Sequence, residues 1–424
     1  MFYIIEEEYQ LDTLKDLGDC YVNFIPLNNK YHPKLTDISL IYVRPINHKK
    51  GFILCIKHTE SFSLNKQQVI QHLYDNISKM FVLHKKETLY LFPYPEKLYD
   101  INFIEPIDLD DISNPCVNFY YRNHYSNSIV NSLIPISIQY DEQENIFNKV
   151  LPIIRKYNEN DDIYKFNNDY YSSTFFNIEN NGIKLNKSNF ISHYGDSLSN
   201  PEFNISQGKI FTQYNLYTTT SRPSNRYNGI NFAALNKTDN ERTCYEPSND
   251  ILVEMDFSGY HPRLIGELIN YPLLSYNIYE SLSVGKEEMF QNLYGGIRKE
   301  FKDKPFFKEV SLYVNNIWEL INKDGKIHTV NKTFYLNNIE NPNPTKLFNY
   351  IIQSFETSNN VQILMNINEL LKNKQTKLIL YTYDSVLFDF AKSDGAELLK
   401  NIEKIMKYPT KIKYGSNYKD IKAL

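Results

Sequence analysis

The sequence contains few cysteines and glycines, and no apolar run is long enough to span a membrane. Its 424 residues include four cysteines and 14 glycines. No two cysteines form a C-x-x-C pair, which argues against structural zinc and fits a reducing compartment. Since no signal peptide is evident either, we expect a soluble, cytoplasmic protein without a membrane partner. The cysteines are Cys20, Cys55, Cys116 and Cys244.

The sequence also lacks an excess of positive charge. Its 46 Lys and Arg against 50 Asp and Glu give a formal net charge of -4. The surface as a whole therefore does not point to nucleic acid, although a cleft can concentrate positive charge locally. The chain is long enough for roughly two to four domains. It is rich in aromatic residues, with 35 tyrosines, so there is ample material for a core.

The first 115 residues or so predict a small α/β domain. Strands are expected at Cys20–Pro26, Ile38–Arg44 and Gly51–Lys57, a helix at Leu64–Met80, and one or two more strands at Met80–Phe92. The first strand carries Asn23, where a nuclease would need paired carboxylates. The acids that follow resemble a solvated connector more than a metal site: Asp100, Glu105, Asp108, Asp110 and Asp111.

Residues 116 to about 190 are polar and rich in tyrosine. A helix is predicted over Glu144–Tyr157, and the acidic break Asn158–Asp162 follows it. A second helix ends before Gly182, which is typical of a C-cap. No internal repeat or low-complexity tract interrupts this part of the chain.

The stretch Ile251–Asn270 places an acid between a strand and a helix. An apolar run ends in Asp256, a short turn Phe257–Tyr260 follows, and a helical pattern begins after it. An acid at such a point can bind a cation in a cleft, with the backbone of the turn as a further ligand. Alternatively, Asp256 is a helix N-cap without chemistry.

Two further segments contain groups suited to polynucleotides and nucleotides. Arg222 lies among hydroxyls and amides, where it could bind phosphate or a groove acceptor unless the segment is only a loop. Lys286, Phe290 and Tyr294 recur every four residues, so they share one helix face. The lysine could neutralise a triphosphate while the aromatics pack against sugar and base. An ordinary amphipathic helix is the alternative.

A second acid lies at the tip of a predicted β-hairpin near the C-terminus. Alternating apolar runs in Lys377–Ala391 flank Asp384 and Ser385. Asp384 is either a simple turn residue or a partner of Asp256. Two such aspartates brought together would bind a pair of divalent ions. One ion would activate a 3′-hydroxyl, and the other would stabilise a triphosphate and the leaving pyrophosphate.

Taken in order, these motifs resemble those of the family A (Pol I-like) DNA polymerases over about residues 175–424. Each motif is weak, but seven in the correct order are hard to obtain by chance. They are Ile178–Ile183 (M-E-x-x-G-[VI]), Thr220–Ser224 (T-G-R-L-S), Asp256–Ser258 with Arg263 (motif A), Lys286-x3-Phe290-x3-Tyr294-Gly295 (motif B), Asn349-x3-Gln353 (N-x3-Q), Tyr383–Ser385 (H-D-E) and Lys413–Tyr418 (G-x-N-W).

The resemblance implies a right-handed palm and fingers fold and template-directed addition of dNTPs to a primer 3′ end. The compact chain further suggests phage-type DNA replication, in a bacterial host cytoplasm. Two Mg²⁺ ions, replaceable by Mn²⁺, would be bound by Asp256, Asp384 and the backbone of Phe257. The resemblance assigns the dNTP to Lys286, Phe290, Tyr294, His261 and Tyr260. It assigns the primer–template DNA to Arg222, Asn231, Arg263, Asn349, Gln353 and Tyr383.

The sequence departs from the family pattern at the sugar site and in motif C. His261 stands where motif A has the glutamate that excludes a ribose 2′-hydroxyl, so Tyr260, His261 or Tyr294 would be the gate. Motif C has Ser385 in place of glutamate, and an Asp-Ser pair also resembles single-subunit RNA polymerases. Phe290 favours the DNA polymerases.

The resemblance also divides the chain into segments. Residues 1–115 occupy the place of the exonuclease domain but lack its acids. Residues 116–215 would form a connector and rudimentary thumb, 216–265 the first part of the palm, 266–340 reduced fingers, and 341–424 the second part of the palm.

The fingers also lack an expected cation. Leu282 replaces the arginine expected before Lys286, so Arg263, Arg298 or Lys299 would supply that cation. With so small a thumb we expect low processivity, steep salt sensitivity, and a helicase, primase or processivity factor as a partner.

Two other functions are compatible with the same residues. A primase-like or RNA polymerase would use the same chemistry with relaxed sugar selection, for which His261 and Ser385 speak. An inactive replisome scaffold would retain the palm only to bind DNA, but both aspartates and Lys286 persist. Comparing dNTP with NTP incorporation separates the two polymerases, and the scaffold would incorporate neither.

Overall fold

The computed structural model describes residues 3–28, 32–107, 131–200, 203–225, 230–271, 273 and 275–423. The chain forms two compact units, of which unit 1 comprises Met1–Phe176 with Leu198–Gln207 and unit 2 comprises Asn177–Ser197 with Gly208–Leu424. The five segments expected from the sequence are a finer division and stay a prediction. Three predicted connector acids and one cysteine lie outside the described residues: Asp108, Asp110, Asp111 and Cys116.

Unit 1 contains a mixed six-stranded sheet, as the sequence predicts for an α/β domain. The strand order is β1-β4-β3-β2-β5-β6, with parallel pairs at both edges and antiparallel pairs in between. A further two-residue strand lies at Ile205–Ser206. The strands are β1 (Tyr3–Ile5), β2 (Gly18–Pro26), β3 (Ile38–Pro45), β4 (Phe52–Cys55), β5 (Ile77–Val82) and β6 (Leu98–Asp100).

Helices cover both faces of this sheet. Apolar residues of α1 pack with one set of inward-facing strand residues, and those of α4 pack with the opposite set. The helices are α1 (Lys66–Asn76), α2 (Lys85–Thr88), α3 (Ile101–Ile104), α4 (Ile136–Ile154) and α5 (Asp162–Lys165), followed by a π-helical turn (Phe166–Tyr171) and α6 (Ser172–Asn181), whose residues are divided between the units at Phe176. Short 3-10 helices occur at Glu8–Leu14, Pro33–Leu35, Pro95–Lys97 and Asn131–Leu133.

One prediction for unit 1 is wrong in part. The helix expected to reach Met80 ends at Asn76, because Ile77–Val82 pairs with β2 as a strand. Of the one or two strands expected over Met80–Phe92, β5 is present, and the short helix α2 follows it. Pairing across the sheet, which the local pattern does not reveal, decides where the helix ends.

Asp100 corrects the prediction of a solvated acidic connector. Its side chain is fully buried and accepts hydrogen bonds from the backbone N–H of Lys85 (2.7 Å) and of Asn102 (3.0 Å), so it caps α3. Glu105 does lie at the surface, where it pairs with Lys156. Asn23 donates to Gln143 Oε1 at 2.8 Å.

Unit 2 is built on a five-stranded antiparallel sheet with β12 at its centre. The order is β15-β16-β12-β17-β18. Elsewhere in the unit β7 pairs with β8 and β11, β9 with β10, and β13 with β14. The strands are β7 (Ile183–Leu185), β8 (Lys209–Ile210), β9 (Tyr214–Asn215), β10 (Ser224–Asn225), β11 (Tyr245–Glu246), β12 (Ile251–Phe257), β13 (Lys326–His328), β14 (Thr333–Tyr335), β15 (Lys377–Tyr381), β16 (Ser385–Phe390), β17 (Thr410–Gly415) and β18 (Lys422–Ala423).

Several helices of unit 2 pack against the 28-residue helix α12, which begins at Pro344 directly after the Asn343 cap. Apolar residues of α10, α11 and α12 share one core cluster. The helices are α7 (Lys187–Tyr194), α8 (Tyr260–Leu268), α9 (Ile278–Ser281), α10 (Lys286–Gly295), α11 (Pro305–Asp324), α12 (Pro344–Leu371) and α13 (Ala396–Ile405). The 3-10 helices lie at Phe232–Ala234, Asn240–Cys244, Lys299–Phe301, Leu336–Asn338 and Lys392–Asp394.

Several local predictions for unit 2 are confirmed. Gly182 follows α6 with a φ of 63°, as expected of a helix-ending glycine. The hairpin around Asp384 is formed by β15 and β16, and the helix that carries Lys286 is α10. In the part of the chain that the structure describes, no helix is both long and apolar enough to cross a bilayer.

Candidate active site

The two predicted acids meet at one end of the central sheet. Asp256 is the penultimate residue of β12 and is paired in register with Ser385 of β16. The next backbone N–H along β12, that of Phe257, donates to the carbonyl of Asp384 at 2.9 Å. Both strands are largely buried and each has one continuous apolar face, Val253, Met255 and Phe257 in β12 and Val386, Phe388 and Phe390 in β16, which fixes this register. The strand pairing therefore brings Asp256 and Asp384 side by side.

The turn before β16 is shaped to present Asp384. Thr382 N–H donates to the Ser385 carbonyl at 2.9 Å, and the hydroxyls of these two residues lie 2.7 Å apart. Tyr383 between them has a φ of 64°, in the left-handed region that non-glycine residues seldom adopt. The turn thus carries local strain next to a predicted metal ligand, which is common at functional sites.

The electrostatics of the two acids differ. Asp384 remains accessible to solvent, but protein atoms around its carboxyl and the charge of Asp256 raise its pKa. Lys413 Nζ lies 3.5 Å from Asp256 Oδ2 and 2.8 Å from Oε2 of the buried Glu254. Burial alone would lower the Lys413 pKa, but these carboxylates raise it. The pair of acids is only partly neutralised by protein cations.

Asp256 is not the cap of the following helix, which was the alternative. Gly259 occupies the N-cap of α8, with a φ of 60°. A Cβ at Gly259 would lie 2.7 Å from Ile278 Cγ1, so both the backbone and the packing require glycine there. Ser258 N–H donates to the Pro409 carbonyl at 2.8 Å. The carboxylate of Asp256 is thereby left out of the helix cap.

Two residues that the sequence analysis assigns to ligand binding, Tyr260 and Arg263, form hydrogen bonds with other groups of the protein. The Tyr260 side chain is buried, and its hydroxyl accepts from Asn359 Nδ2 at 2.9 Å and donates to Asn360. The guanidinium of Arg263 donates to four main-chain carbonyls, and burial lowers its pKa. These contacts stabilise the turn after Asp256, and the roles of Tyr260 in dNTP binding and of Arg263 in DNA binding stay predictions.

An aromatic group lies beside the turn, formed by α8 and α10. His261 Nδ1 is hydrogen-bonded to the Tyr294 hydroxyl. The rings of Phe290 and Tyr294 stack with centroids 5.8 Å apart, and the His261 ring lies 6.1 Å from that of Phe290. Burial, and then the charge of Glu356, raises the Tyr294 pKa, so this phenol is neutral at physiological pH. Three of the predicted dNTP contacts are therefore neighbours.

The predicted cations lie on the exposed side of this group. Lys286 is the first residue of α10 and is open to solvent, as are Arg298 and Lys299. Arg298 is hydrogen-bonded to Gln291. Lys286 has the same helical spacing from Phe290 as Phe290 has from Tyr294, so the three side chains lie along one face of α10.

Glu356 is a site residue that the sequence analysis missed. It is completely buried on α12, 3.0 Å from Arg222 Nε and 3.3 Å from His261 Nε2. Burial would raise its pKa, but His261 and Arg222 lower it, so the carboxyl is charged. The Arg222 guanidinium lies 3.8 Å above the Tyr383 ring. A signal was present, because Glu356 follows Asn349 by seven residues and hence shares its helix face.

The remaining predicted DNA contacts lie along α12 and the segment before β10. Gln353 Oε1 accepts from the Thr220 hydroxyl at 2.9 Å, and Asn349 Oδ1 is buried without a hydrogen-bond partner among the described residues. Asn231 is exposed.

A second missed residue is Lys332, whose Nζ donates to a carbonyl at 3.3 Å and has no carboxylate partner in the ranges described. Burial lowers its pKa, so an anion there would be bound favourably.

A metal site would have to be completed by something other than protein carboxylates. Among the described residues there is no group of three or more His, Cys, Asp or Glu side chains that could bind a metal ion. Asp256 and Asp384 provide hard oxygen ligands, and their mutual repulsion would be relieved by a divalent cation. Mg²⁺ is usually bound by one or two carboxylates together with waters and substrate phosphates. The two acids fit that pattern.

Comparison with known proteins supports the fold rather than a family. No known protein family matches the sequence. No curated protein matches it either. Among solved structures, the chain is similar to the POL domain of Pol1 from M. smegmatis, in complex with DNA primer-template and dNTP, with a TM-score of 0.70 and 12% identity over 99% of this chain and 100% of that chain. The chain therefore has the fold of a DNA polymerase domain.

Proposed function

We propose that the protein is a template-directed DNA polymerase of the family A type, which adds dNTPs to a primer 3′ end. The observation that carries this proposal is the pairing of Asp256 with the chain around Asp384 at one end of the central sheet. It is supported by the fold, which resembles a polymerase domain bound to primer-template and dNTP. The motif order of the sequence agrees with both.

We assign two Mg²⁺ ions, or Mn²⁺ in their place, to Asp256, Asp384 and the Phe257 backbone. When bound, such ions activate a 3′-hydroxyl and stabilise the charge of the triphosphate and the leaving pyrophosphate. The protein's own contribution is to fix both carboxylates by strand pairing and the strained turn, so that little reorganisation is needed when they bind. Lys413 Nζ lies 3.5 Å from Asp256 Oδ2 and places a positive charge beside it.

The dNTP is assigned to the face formed by α8 and α10. Lys286 lies in solvent, where it is free to neutralise phosphate charge. Phe290 and Tyr294 present stacked rings to sugar and base, and His261 adjoins both. Arg298 or Lys299 supplies the second cation, because Arg263 is engaged by main-chain carbonyls.

The primer–template is assigned to the surface formed by Arg222, Tyr383 and the Asn349 face of α12. Gln353 and Asn231 add amide groups, and Lys332 adds a cation that lacks a carboxylate partner among the described residues. Such a small set of phosphate contacts predicts weak primer–template binding and low processivity. We infer a reduced thumb, reduced fingers and an exonuclease-like domain without its acids. A helicase, primase or processivity factor in phage-type replication would then sustain synthesis.

Primer extension on a short DNA template tests the proposal. With Mg²⁺ and dNTPs, the protein should extend the primer in a template-dependent order. Equal extension with NTPs would instead favour a primase-like or RNA polymerase, for which the sequence speaks through His261 and Ser385. Binding of primer–template without any extension would favour an inactive replisome scaffold and contradict the proposal. Processive synthesis of long products by the isolated chain would contradict the need for a partner.

A further inference from the structure

Glu356 connects three parts of the candidate site although it can touch neither solvent nor substrate. Its carboxylate, fully buried on α12, lies 3.0 Å from Arg222 Nε and 3.3 Å from His261 Nε2. Arg222 in turn covers the Tyr383 ring beside Asp384. A buried charge is costly unless it is paired, so the three side chains restrict each other to one arrangement.

The contact with Glu356 determines how the imidazole of His261 is oriented. A charged carboxylate can only accept hydrogen bonds, so His261 Nε2 must carry the proton that points to it. The other ring nitrogen, Nδ1, is then directed at the hydroxyl of Tyr294 on α10, to which it is bonded. With one nitrogen fixed by an acid and the other by a phenol, the ring cannot rotate without breaking a bond.

We propose that Glu356 is a positioning residue of the nucleotide site, which fixes His261 against Tyr294 and so sets the discrimination between deoxyribo- and ribonucleotides. This inference rests on the proposed polymerase function. The fixed ring and the bonded phenol form a continuous wall between α8 and α10, beside the stacked ring of Phe290. A sugar hydroxyl that points at this wall meets atoms that cannot move away. Without the carboxylate, the imidazole can rotate and make room for it.

The test is single-nucleotide incorporation by E356Q, measured as kcat/KM for a dNTP and for the matching NTP. The amide keeps the shape of the carboxylate but loses its charge, and charge-assisted hydrogen bonds are roughly twice as strong as neutral ones. We expect the dNTP/NTP ratio to fall by about tenfold, mainly through a gain for the NTP. E356L removes both contacts and should lower the ratio further. Unchanged discrimination in both variants would overturn the proposal.

The matched control is E369Q on the same helix. Glu369 is exposed and forms a surface pair with Lys372, so E369Q should keep the wild-type ratio. R222K tests the other contact of Glu356, that with Arg222. It should weaken primer binding while leaving the dNTP/NTP ratio unchanged. A fall in the ratio for R222K equal to that for E356Q would mean that primer placement, and not His261, sets discrimination.

A second readout does not need activity. In protein labelled with ¹⁵N-histidine, the His261 ring signals, assigned by their loss in H261Q, should show a protonated Nε2 in the wild type. They should become averaged in E356L, and E356Q should lie between the two. An unprotonated Nε2 in the wild type would overturn the positioning role whatever the activity. If no nucleotide is incorporated but these signals behave as expected, the proposed function fails while the contact of Glu356 with His261 stands.

Discussion

Replacing Arg263 by methionine should destabilise unit 2, because its guanidinium ties the turn after Asp256 to the segment before α9. It donates to the carbonyls of Ser258 (2.9 Å), Leu273 (3.1 Å), Ser275 (2.9 Å) and Tyr276 (2.9 Å). The R263M substitution keeps the apolar stem and removes every donor. The change therefore isolates the hydrogen bonds from the packing of the side chain.

The magnitude follows from which carbonyls can regain water. Ser275 and Tyr276 are exposed, so their carbonyls can be solvated again, whereas those of Ser258 and Leu273 lie in half-buried residues. Two hydrogen bonds to a charged group at about 1.5–2 kcal/mol each give a loss of about 3–4 kcal/mol. For a unit of this size that corresponds to a fall of about 6–16 °C in the unfolding temperature.

Differential scanning calorimetry of R263M, R263K and wild type measures this loss. The single ammonium of R263K cannot reach all four carbonyls, so its unfolding temperature should lie between the other two. K299M is the matched control, since Lys299 is an exposed cation, and it should unfold with the wild type. If R263M unfolds with the wild type but binds primer–template or dNTP more weakly, the structural role is refuted and the role predicted from the sequence motif stands.

Three further predictions concern residues close to Asp256. D384N should raise the unfolding temperature slightly at pH 7 in EDTA, because a raised pKa in the folded state means that the charged carboxyl costs stability. The gain should grow as the pH rises through that pKa and vanish below about pH 3.8, the pKa of the unfolded chain, and a loss of stability at pH 7 would contradict it. G259A should lower the free energy of unfolding by about 1–3 kcal/mol, because a side chain would strain the backbone at a φ of 60° and would crowd Ile278. An unchanged midpoint in urea unfolding would refute this strain. K413M should lower the free energy of unfolding by about 2–4 kcal/mol, because it leaves the buried Glu254 unpaired, and adding E254Q should recover part of this loss. Strict additivity of the two substitutions in a double-mutant cycle would show that the pair is not coupled.

The sequence was sufficient for the elements that carry the acids. An apolar run identified β12, and alternating apolar residues identified the hairpin of β15 and β16, so the positions of Asp256 and Asp384 at strand ends could be predicted. That they are neighbours could be inferred only from the resemblance, because the pairing of β12 with β16 joins segments far apart in the chain. In unit 1, β5 was predicted as the end of a helix for the same reason, because its pairing with a distant strand is not visible in the local sequence.

The polar interior was the part that could not be predicted. The spacing of Glu356 from Asn349 places both on one helix face, but the burial of Glu356 could not be predicted, since its partners Arg222 and His261 come from two other segments. Arg263 matched a motif position, but three of its carbonyl acceptors belong to Leu273, Ser275 and Tyr276, which only the tertiary fold brings to it. Asp100 was assigned to a solvated connector because a buried helix cap and a surface acid look alike in sequence. Tertiary contacts decide each of these cases.

The most direct test of the account is primer extension with Mg²⁺ by D256N and D384N beside D250N. Asp250 precedes the opposite end of β12 and is exposed, so D250N controls for a general effect on the sheet. We predict that D256N and D384N each abolish dNTP incorporation while all three variants remain folded and bind primer–template. Incorporation at the wild-type rate by either D256N or D384N would contradict the assignment of the two acids as the metal ligands.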